Sequence, residues 1–296
     1  MIGYFLEQTG NALSLGGIYA LLALGLAVVY SILGLINFAH GALMTLTGYV
    51  LVFAAMIGLP FLAAAPLAAL TVMIAAVLLE RIAFRPVRGA GGATMLLTSF
   101  AVAVLLQLAF QLFISTRPQI VPLPALLTST IELGGFAIGV NRVISVIVAI
   151  VVLLALNQFL RRTTIGLAMR AAAEDFDVTR LMGIRANRVI SAAFALSGLL
   201  ASIAAILWMA QRSSVDPLMG LVPVLKAFIA TTLGGLGSLQ GAVMGGLLLG
   251  AIEIYLAAYL PDAALPYQGA LTLGLVILVL VIRPQGLVGP RREPAR

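Results

Sequence analysis

Arg142-Val143-Ile144-Ser145-Val146-Ile147-Val148-Ala149-Ile150-Val151-Val152-Leu153-Leu154-Ala155-Leu156-Asn157-Gln158-Phe159-Leu160-Arg161-Arg162 decides the class of fold. Between its flanking arginines the run 143–160 carries no charge. A bilayer core about 30 Å thick is crossed by roughly 20 apolar residues as helix, so this run predicts a membrane span. Runs of the same kind recur in both directions, over 12–33, 41–58, 61–79, 93–115, 189–210, 223–236, 241–260 and 267–282. The stretch 223–236 is too short for an unbroken span and is expected to be a half-helix or a re-entrant hairpin. Nine segments thus allow eight to ten crossings. The fold class is all-α, a polytopic membrane protein of about nine transmembrane helices.

Composition agrees. The 296 residues are 62% apolar and 9% charged, against about 45–50% and 25% in soluble domains, and the mean hydropathy is +1.16. Apolar runs reach from end to end, so 1–296 is expected to be a single transmembrane domain with no soluble module. There is no cysteine and one histidine, His40, which removes disulfides, thiolate chemistry and a His- or Cys-built metal site. No cofactor is expected. The N-terminal stretch holds Glu7 and no basic side chain before Arg81, unlike a secretory signal.

Charge sets the topology. Of 17 basic residues, 16 are arginine and only Lys226 is lysine. In a soluble chain such an excess suggests nucleic acid. Here it reads as an orientation signal and a contact with anionic membrane lipid, and no nucleic-acid partner is expected. Thirteen of the 17 lie in three segments: 80–92 with Arg81, Arg85 and Arg88; 161–188 with Arg161, Arg162, Arg170, Arg180, Arg185 and Arg188; and the tail with Arg283, Arg291, Arg292 and Arg296. Arg117, Arg142 and Arg212 fall on the other side, and Lys226 just inside a span. Basic loops stay cytoplasmic, so with nine spans the N-terminus is outside and the C-terminus inside. The longest outer segment, 116–142, carries Pro118, Pro122, Pro124, Gly134 and Gly135, turn-and-loop chemistry on a surface that could meet a partner.

Four motifs stand out. In Gly34-Leu35-Ile36-Asn37-Phe38-Ala39-His40-Gly41, two polar residues sit between spans with almost no linker. They read either as an interfacial turn at the headgroups or as a helix break near a pathway at the inner mouth, since polar groups at membrane depth must line a cavity or pair. Gly237, Gly241 and Gly245 recur every four residues and offer one small-residue face to a neighbouring helix or a gate. At an offset of 200 residues Gly34, Gly41, Ala42 and Met44 match Gly234, Gly241, Ala242 and Met244, as a duplicated transporter would. Within 161–188, the run Leu167 to Met182 has no Pro or Gly and predicts one helix, with Met169, Ala172, Ala173, Phe176, Arg180 and Leu181 at three-to-four spacing and Gly183 as its stop. Glu174, Asp175 and Asp177 stand on it among arginines, as a helix presented to a cytoplasmic partner would. Lys226 and Glu253 are the clearest charges inside spans.

The sequence resembles the integral membrane permeases of branched-chain amino-acid ABC importers, and more the shorter of their two permease paralogues. The resemblance rests on Ser14-Leu15-Gly16-Gly17-Ile18-Tyr19-Ala20-Leu21 with Gly25, on Gly34 to Gly41, on Ala172-Ala173-Glu174-Asp175 with Leu181-Met182-Gly183-Ile184, on Lys226-Ala227-Phe228-Ile229-Ala230, on Leu233 to Gly246 and on Glu253. It covers nearly the whole chain. It implies a subunit of eight to ten helices, paired with a second permease, two ATPase subunits and an extracytoplasmic binding protein, in the bacterial inner membrane. Arg170, Glu174, Asp175, Asp177, Arg180 and Gly183 fall where that family has its ATPase-coupling loop, although here Ala172-Ala173 precede Glu174 instead of following it. Asn37, His40, Gly41, Gly237, Gly241 and Gly245 are the pathway or helix-break candidates.

The chain has no G-x-x-x-x-G-K-[ST] loop, so ATP hydrolysis would belong to a partner. The leading function is alternating-access import of branched-chain or related amino acids. A stand-alone secondary transporter or channel would need its own coupling-ion site, and a permease for urea or short amides would share the fold. A membrane enzyme lacks a metal constellation or a nucleophile–base pair; no catalytic residues are expected. The arginine asymmetry is testable with single cysteines in the Cys-free chain: at positions 88 and 170 they should resist an impermeant external thiol reagent in intact cells, and labelling there would invert the topology.

Overall fold

The computed structural model describes residues 2–133 and 136–288. Gly134, Gly135, Arg291, Arg292 and Arg296 lie outside the described residues. The chain runs through α1 (Ile2–Leu33), α2 (His40–Met56), α3 (Phe61–Leu79), α4 (Gly92–Phe113), the short α5 (Ala125–Thr128), α6 (Val140–Arg162), α7 (Thr164–Glu174), α8 (Phe176–Leu181), α9 (Ala186–Arg212), α10 (Leu221–Gly234), α11 (Leu239–Tyr259) and α12 (Gln268–Ile282). Among the described residues four short strands sit in the connections. β1 (Gln119–Ile120) pairs antiparallel with β4 (Ser214–Val215), and β2 (Thr130–Leu133) with β3 (Phe136–Gly139). A wide turn, Glu80–Phe84, and a tight one, Arg85–Val87, prolong α3.

Among the described residues seven helices are long and apolar enough to cross a membrane, and α2 and α10 are shorter apolar ones. These nine correspond to the nine apolar runs of the sequence. At 1.5 Å per residue, the 14 residues of α10 reach about 21 Å and the 17 of α2 about 26 Å, both short of the core thickness.

The centre of the bundle is α1. Every residue from Gly16 to Val29 is buried, by α6, α9, α10 and α11 around it, which is why its sequence is apolar on all sides. The outer helices bury only a stripe. On α3 it is Ala64, Ala68, Val72 and Ala76, at a spacing of four; on α12 it is Thr272 and Val276. Their remaining large apolar side chains point outward, among them Leu62, Leu70, Ile277 and Val281, as lipid-facing surfaces do.

Small residues let the interior helices approach backbone to backbone. On α11, Gly241 and Gly245 face α10: an added Cβ would collide with the carbonyls of Gly234 and Ala230. Gly246 and Gly250 face α1, where a Cβ would meet the backbone of Ala20 and Gly16. Of the glycine ladder expected from the sequence, Gly241 and Gly245 share one face, and Gly246 and Gly250 form a second that was not expected. Gly237 belongs to neither, because at φ +88° it forms the turn before α11.

Three further expectations need correction. The first helix begins at Ile2 instead of residue 12. Glu7 and Asn11 both pair with Arg142 at the start of α6, and the Thr9 hydroxyl lies 2.9 Å from that of Tyr255, so polar residues extend α1 instead of ending it. The run 167–182 is two helices. Asp175 takes an extended conformation and its Oδ1 accepts from Val178 N–H (2.9 Å), capping α8 where one helix was predicted to continue. The offset of 200 residues pairs unlike packing, since α10 and α11 form a tight hairpin while α1 and α2 hardly touch.

Replacing Gly241 by Leu drives a branched side chain into backbone that has no rotamer with which to yield. Overpacking costs about 1–3 kcal/mol, so the Gly241→Leu protein in detergent should melt several degrees below the parent. Gly274, on α12, has open space around its Cα, and Gly274→Leu should melt unchanged; equal melting of both variants would dismiss the close approach.

Candidate functional site

Where α1 ends, Gly34 turns at φ +62° and the chain re-enters the bundle before α2 begins. His40 is fully buried. Its Nδ1 lies 3.0 Å from Ser197 Oγ, eleven residues into α9 and so roughly 16 Å from that helix's start. The ring also fills the space a side chain at Gly25 would occupy. This is the depth of the bundle's middle, and the expected position of His40 at the headgroups or inner mouth is corrected accordingly. The sequence allows either an interfacial turn or a helix break there, and the depth depends on how far the connection folds back.

A break at that depth must satisfy its own backbone. Asn37 Oδ1 accepts from Ala39 N–H (3.1 Å), Ser99 Oγ accepts from Phe38 N–H (3.4 Å), and Asn37 O accepts from His40 N–H (3.2 Å). Gly41, one of the residues singled out, meets Gly220, which was not. A Cβ on either would strike the other's backbone, and Thr45 Oγ1 accepts from Gly220 N–H (3.3 Å). Two short helices, α2 and α10, therefore start against each other inside the bundle, the broken-helix arrangement that transporters place near their pathways. Among the described residues, Asn37 Nδ2 and His40 Nε2 have no hydrogen-bond partner.

The second polar centre joins α1, α10 and α11. Lys226 Nζ lies 2.7 and 2.8 Å from the two oxygens of Glu253. Tyr19 donates its hydroxyl to the same carboxylate (2.9 Å), and Gln268 Nε2 donates to the Glu253 carbonyl (3.0 Å). The Lys226 ammonium stands 5.6 Å from the centroid of the Tyr19 ring, within cation–π range. The Tyr19 ring lies 6.4 Å from that of Trp208, and the Arg212 guanidinium covers Trp208 at 4.5 Å. A charge inside a span costs about 2.5–3.5 kcal/mol on insertion scales, so the mutual pairing explains how both survive there. Sequence flagged Lys226 and Glu253 separately; 27 positions of separation gave no sign that they meet, and Tyr19 was read only as part of a resemblance.

The third group lies at the arginine-rich end. Thr163 accepts from Gly166 N–H (3.0 Å) and caps α7. Gly166 allows the close return onto Phe159 at the end of α6, and Met169 and Ala172 are buried. That leaves Arg170, Glu174, Asp175, Arg180 and Gly183 exposed on the outer side; the side chain of Asp177 is outside the described residues. Of the predicted stripe, Ala173 and Leu181 are exposed as well. A groove of about 780 Å³ runs between α7 and the start of α9, lined by Ile165, Leu167 and Ala168 with Arg185 and Arg188. Beside it Arg88 pairs with the buried Glu80, which also accepts from Ser191 Oγ (2.8 Å), and Arg88 reaches Asn187 Oδ1 (2.9 Å). Partial burial draws the Arg88 guanidinium below its ordinary pKa. Glu80 was missed because its three neighbouring arginines dominate that segment.

Residues 8–280 match the family model described as branched-chain amino acid transport system / permease component. The chain is 36% identical to the high-affinity branched-chain amino acid transport system permease protein BraD of Pseudomonas aeruginosa, over 97% of each. It is 36% identical to LivH, the permease protein of the same description in Escherichia coli, over 97% of this chain and 96% of that one. Similarity extends to the ribose import permease protein RbsC of E. coli, at 28% over 82% of this chain and 75% of that one. Among solved structures, PsaBC from Streptococcus pneumoniae in complex with Fab shares the fold at a TM-score of 0.50, with 14% identity over 93% of this chain and 91% of that one. A break-bearing bundle of apolar helices, matched along nearly its whole length, makes this chain a member of the branched-chain amino acid transport system permease family.

Proposed function

We propose that the chain is the non-catalytic transmembrane subunit of an ABC importer for branched-chain amino acids in the bacterial inner membrane. Its whole length works as one permease domain. It pairs with a second permease, is driven by two ATPase subunits, and receives cargo from an extracytoplasmic binding protein. The observation that carries this reading is the match along 97% of the chain to permeases of that description. The arrangement of the arginine-rich end supports it: α7 is anchored by Met169 and Ala172, α8 by Thr179, and the two turn charged residues outward beside an apolar groove. A partner that changes shape with ATP would grip such a lever, and 161–188 is then the coupling loop.

With that loop inside, Arg81, Arg85 and Arg88 share the cytoplasmic face, and the segment carrying β1–β3 lies outside. The paired starts of α2 and α10 fall midway between. The backbone contact between Gly41 and Gly220, tied by the Thr45–Gly220 hydrogen bond, couples α2 to α10, which suits a point about which two halves rock. Cargo then passes a largely apolar route in which only transient polar contacts are needed.

Coupling can be separated from folding by choosing the substitutions with the cap in mind. Asn caps a helix about as well as Asp, so Asp175→Asn removes the charge while keeping α8 started. Combined with Glu174→Lys, it should leave membrane insertion and yield intact and reduce co-purification of the ATPase subunits and leucine uptake in vesicles about tenfold. Unchanged uptake with unchanged co-purification would remove these two residues from the coupling contact. A binding protein from the same system that holds no aliphatic amino acid would change the cargo.

A further inference from the structure

We infer that the ion pair of Lys226 and Glu253 is a transient binding point for the zwitterionic end of the cargo, with the adjoining cavity taking its aliphatic side chain. The inference deepens the proposed function, because it rests on an aliphatic amino acid as cargo.

Four observations lead to it. Both charges line a cavity of about 390 Å³ between α10, α11 and α12, within the roughly 300–1,000 Å³ of small-molecule sites. The walls are apolar where Val222, Ile229, Leu249 and Leu273 contribute, and Gln268 and Thr272 add polar groups at one side. The pair also lies near an end of the bundle: Glu253 is six residues before the end of α11, about 9 Å from it, at the end opposite the arginine-rich face. Finally, the charges are unequally covered, with the Lys226 side chain 32% exposed and that of Glu253 11%.

Each charge keeps a second partner if the pair opens. Glu253 retains the Tyr19 hydroxyl at 2.9 Å, and Lys226 retains the face of the Tyr19 ring. An ion pair without such reserves would be held shut by the loss on separation; this one has a second resting state for both members. An α-amino acid offers what each lacks when parted, a carboxylate for Lys226 and an ammonium for Glu253, and its net charge of zero leaves the buried charge balance unchanged. The apolar wall then selects for the side chain. A purely structural pair would need neither a cavity beside it nor reserve partners.

The test uses the complete importer in liposomes, with its second permease, ATPases and binding protein, and reads radiolabelled leucine imported per ATP hydrolysed, normalised to assembled complex. Glu253→Gln keeps the Tyr19 bond but cannot hold the ammonium, and it should lower that ratio about tenfold while binding-protein-stimulated ATP hydrolysis continues. Lys226→Met with Glu253→Leu removes both charges together. If the pair is only structural, this apolar replacement transports leucine at the parent ratio, and the inference is overturned. If the double variant does not assemble, Glu253→Gln decides alone: a parent ratio in the assembled fraction overturns the inference, a tenfold loss supports it. A parent importer that moves an uncharged solute and no amino acid overturns the inference through its cargo, a result recognisable because it appears before any substitution is made.

Discussion

Lipid removes the apolar driving force that presses helices together in water, so what holds this bundle at its centre is close backbone approach and the dispersion that comes with it. The contact of α11 with α1 through Gly246 and Gly250, and with α10 through Gly241 and Gly245, sets the remaining distances. Because α11 lies so near both partners, Glu253 can reach Lys226 and Tyr19 at once. On the other flank Gly198 of α9 lets α3 come in, where a side chain would meet Ala76 and the Val72 backbone. The bundle is thus built from a few places where a methyl group is already too much.

Such packing leaves no room for error in backbone hydrogen bonding. The re-entrant stretch before α2 shows how the requirement is met: Asn37 turns its amide oxygen onto the next residues, Ser99 is lent by α4, and Thr45 of α2 itself receives the amide of Gly220. Short polar side chains of this type give the freed groups a partner while occupying little space. The Thr45 bond also ties the start of α10 to α2, so a movement of one is felt by the other.

Much of this was legible in the sequence, for a reason specific to membranes. Apolar length alone marks a span, and all nine runs became helices, including the short one ending near Gly234. The ends were harder. Glu7 and Asn11 look like the edge of a helix until Arg142 is brought beside them, and that proximity is tertiary. Asp175 carries two meanings in the sequence, a charge for a partner and a helix cap, and only the extended backbone at that residue reveals the second. Gly237, Gly241 and Gly245 share a spacing but not a face, since Gly237 sits in the turn that precedes α11 and the other two on the helix itself. The depth of His40 and the meeting of Gly41 with Gly220 depend on a fold-back whose extent no spacing encodes. The resemblance supplied the family, while the cavity beside Lys226 could be seen only once α12 was laid against α10 and α11.

The chain contains a single tryptophan, and the fold has placed it beside the polar column. Trp208 lies beneath the Arg212 guanidinium and next to the ring of Tyr19, whose hydroxyl holds Glu253. Indole emission responds to nearby charge and to the polarity around the ring, and no other residue of this chain contributes to it. The permease therefore carries a built-in optical reporter, attached to α9 and looking onto α1, that tracks the relative position of those two helices through a transport cycle without a label being introduced.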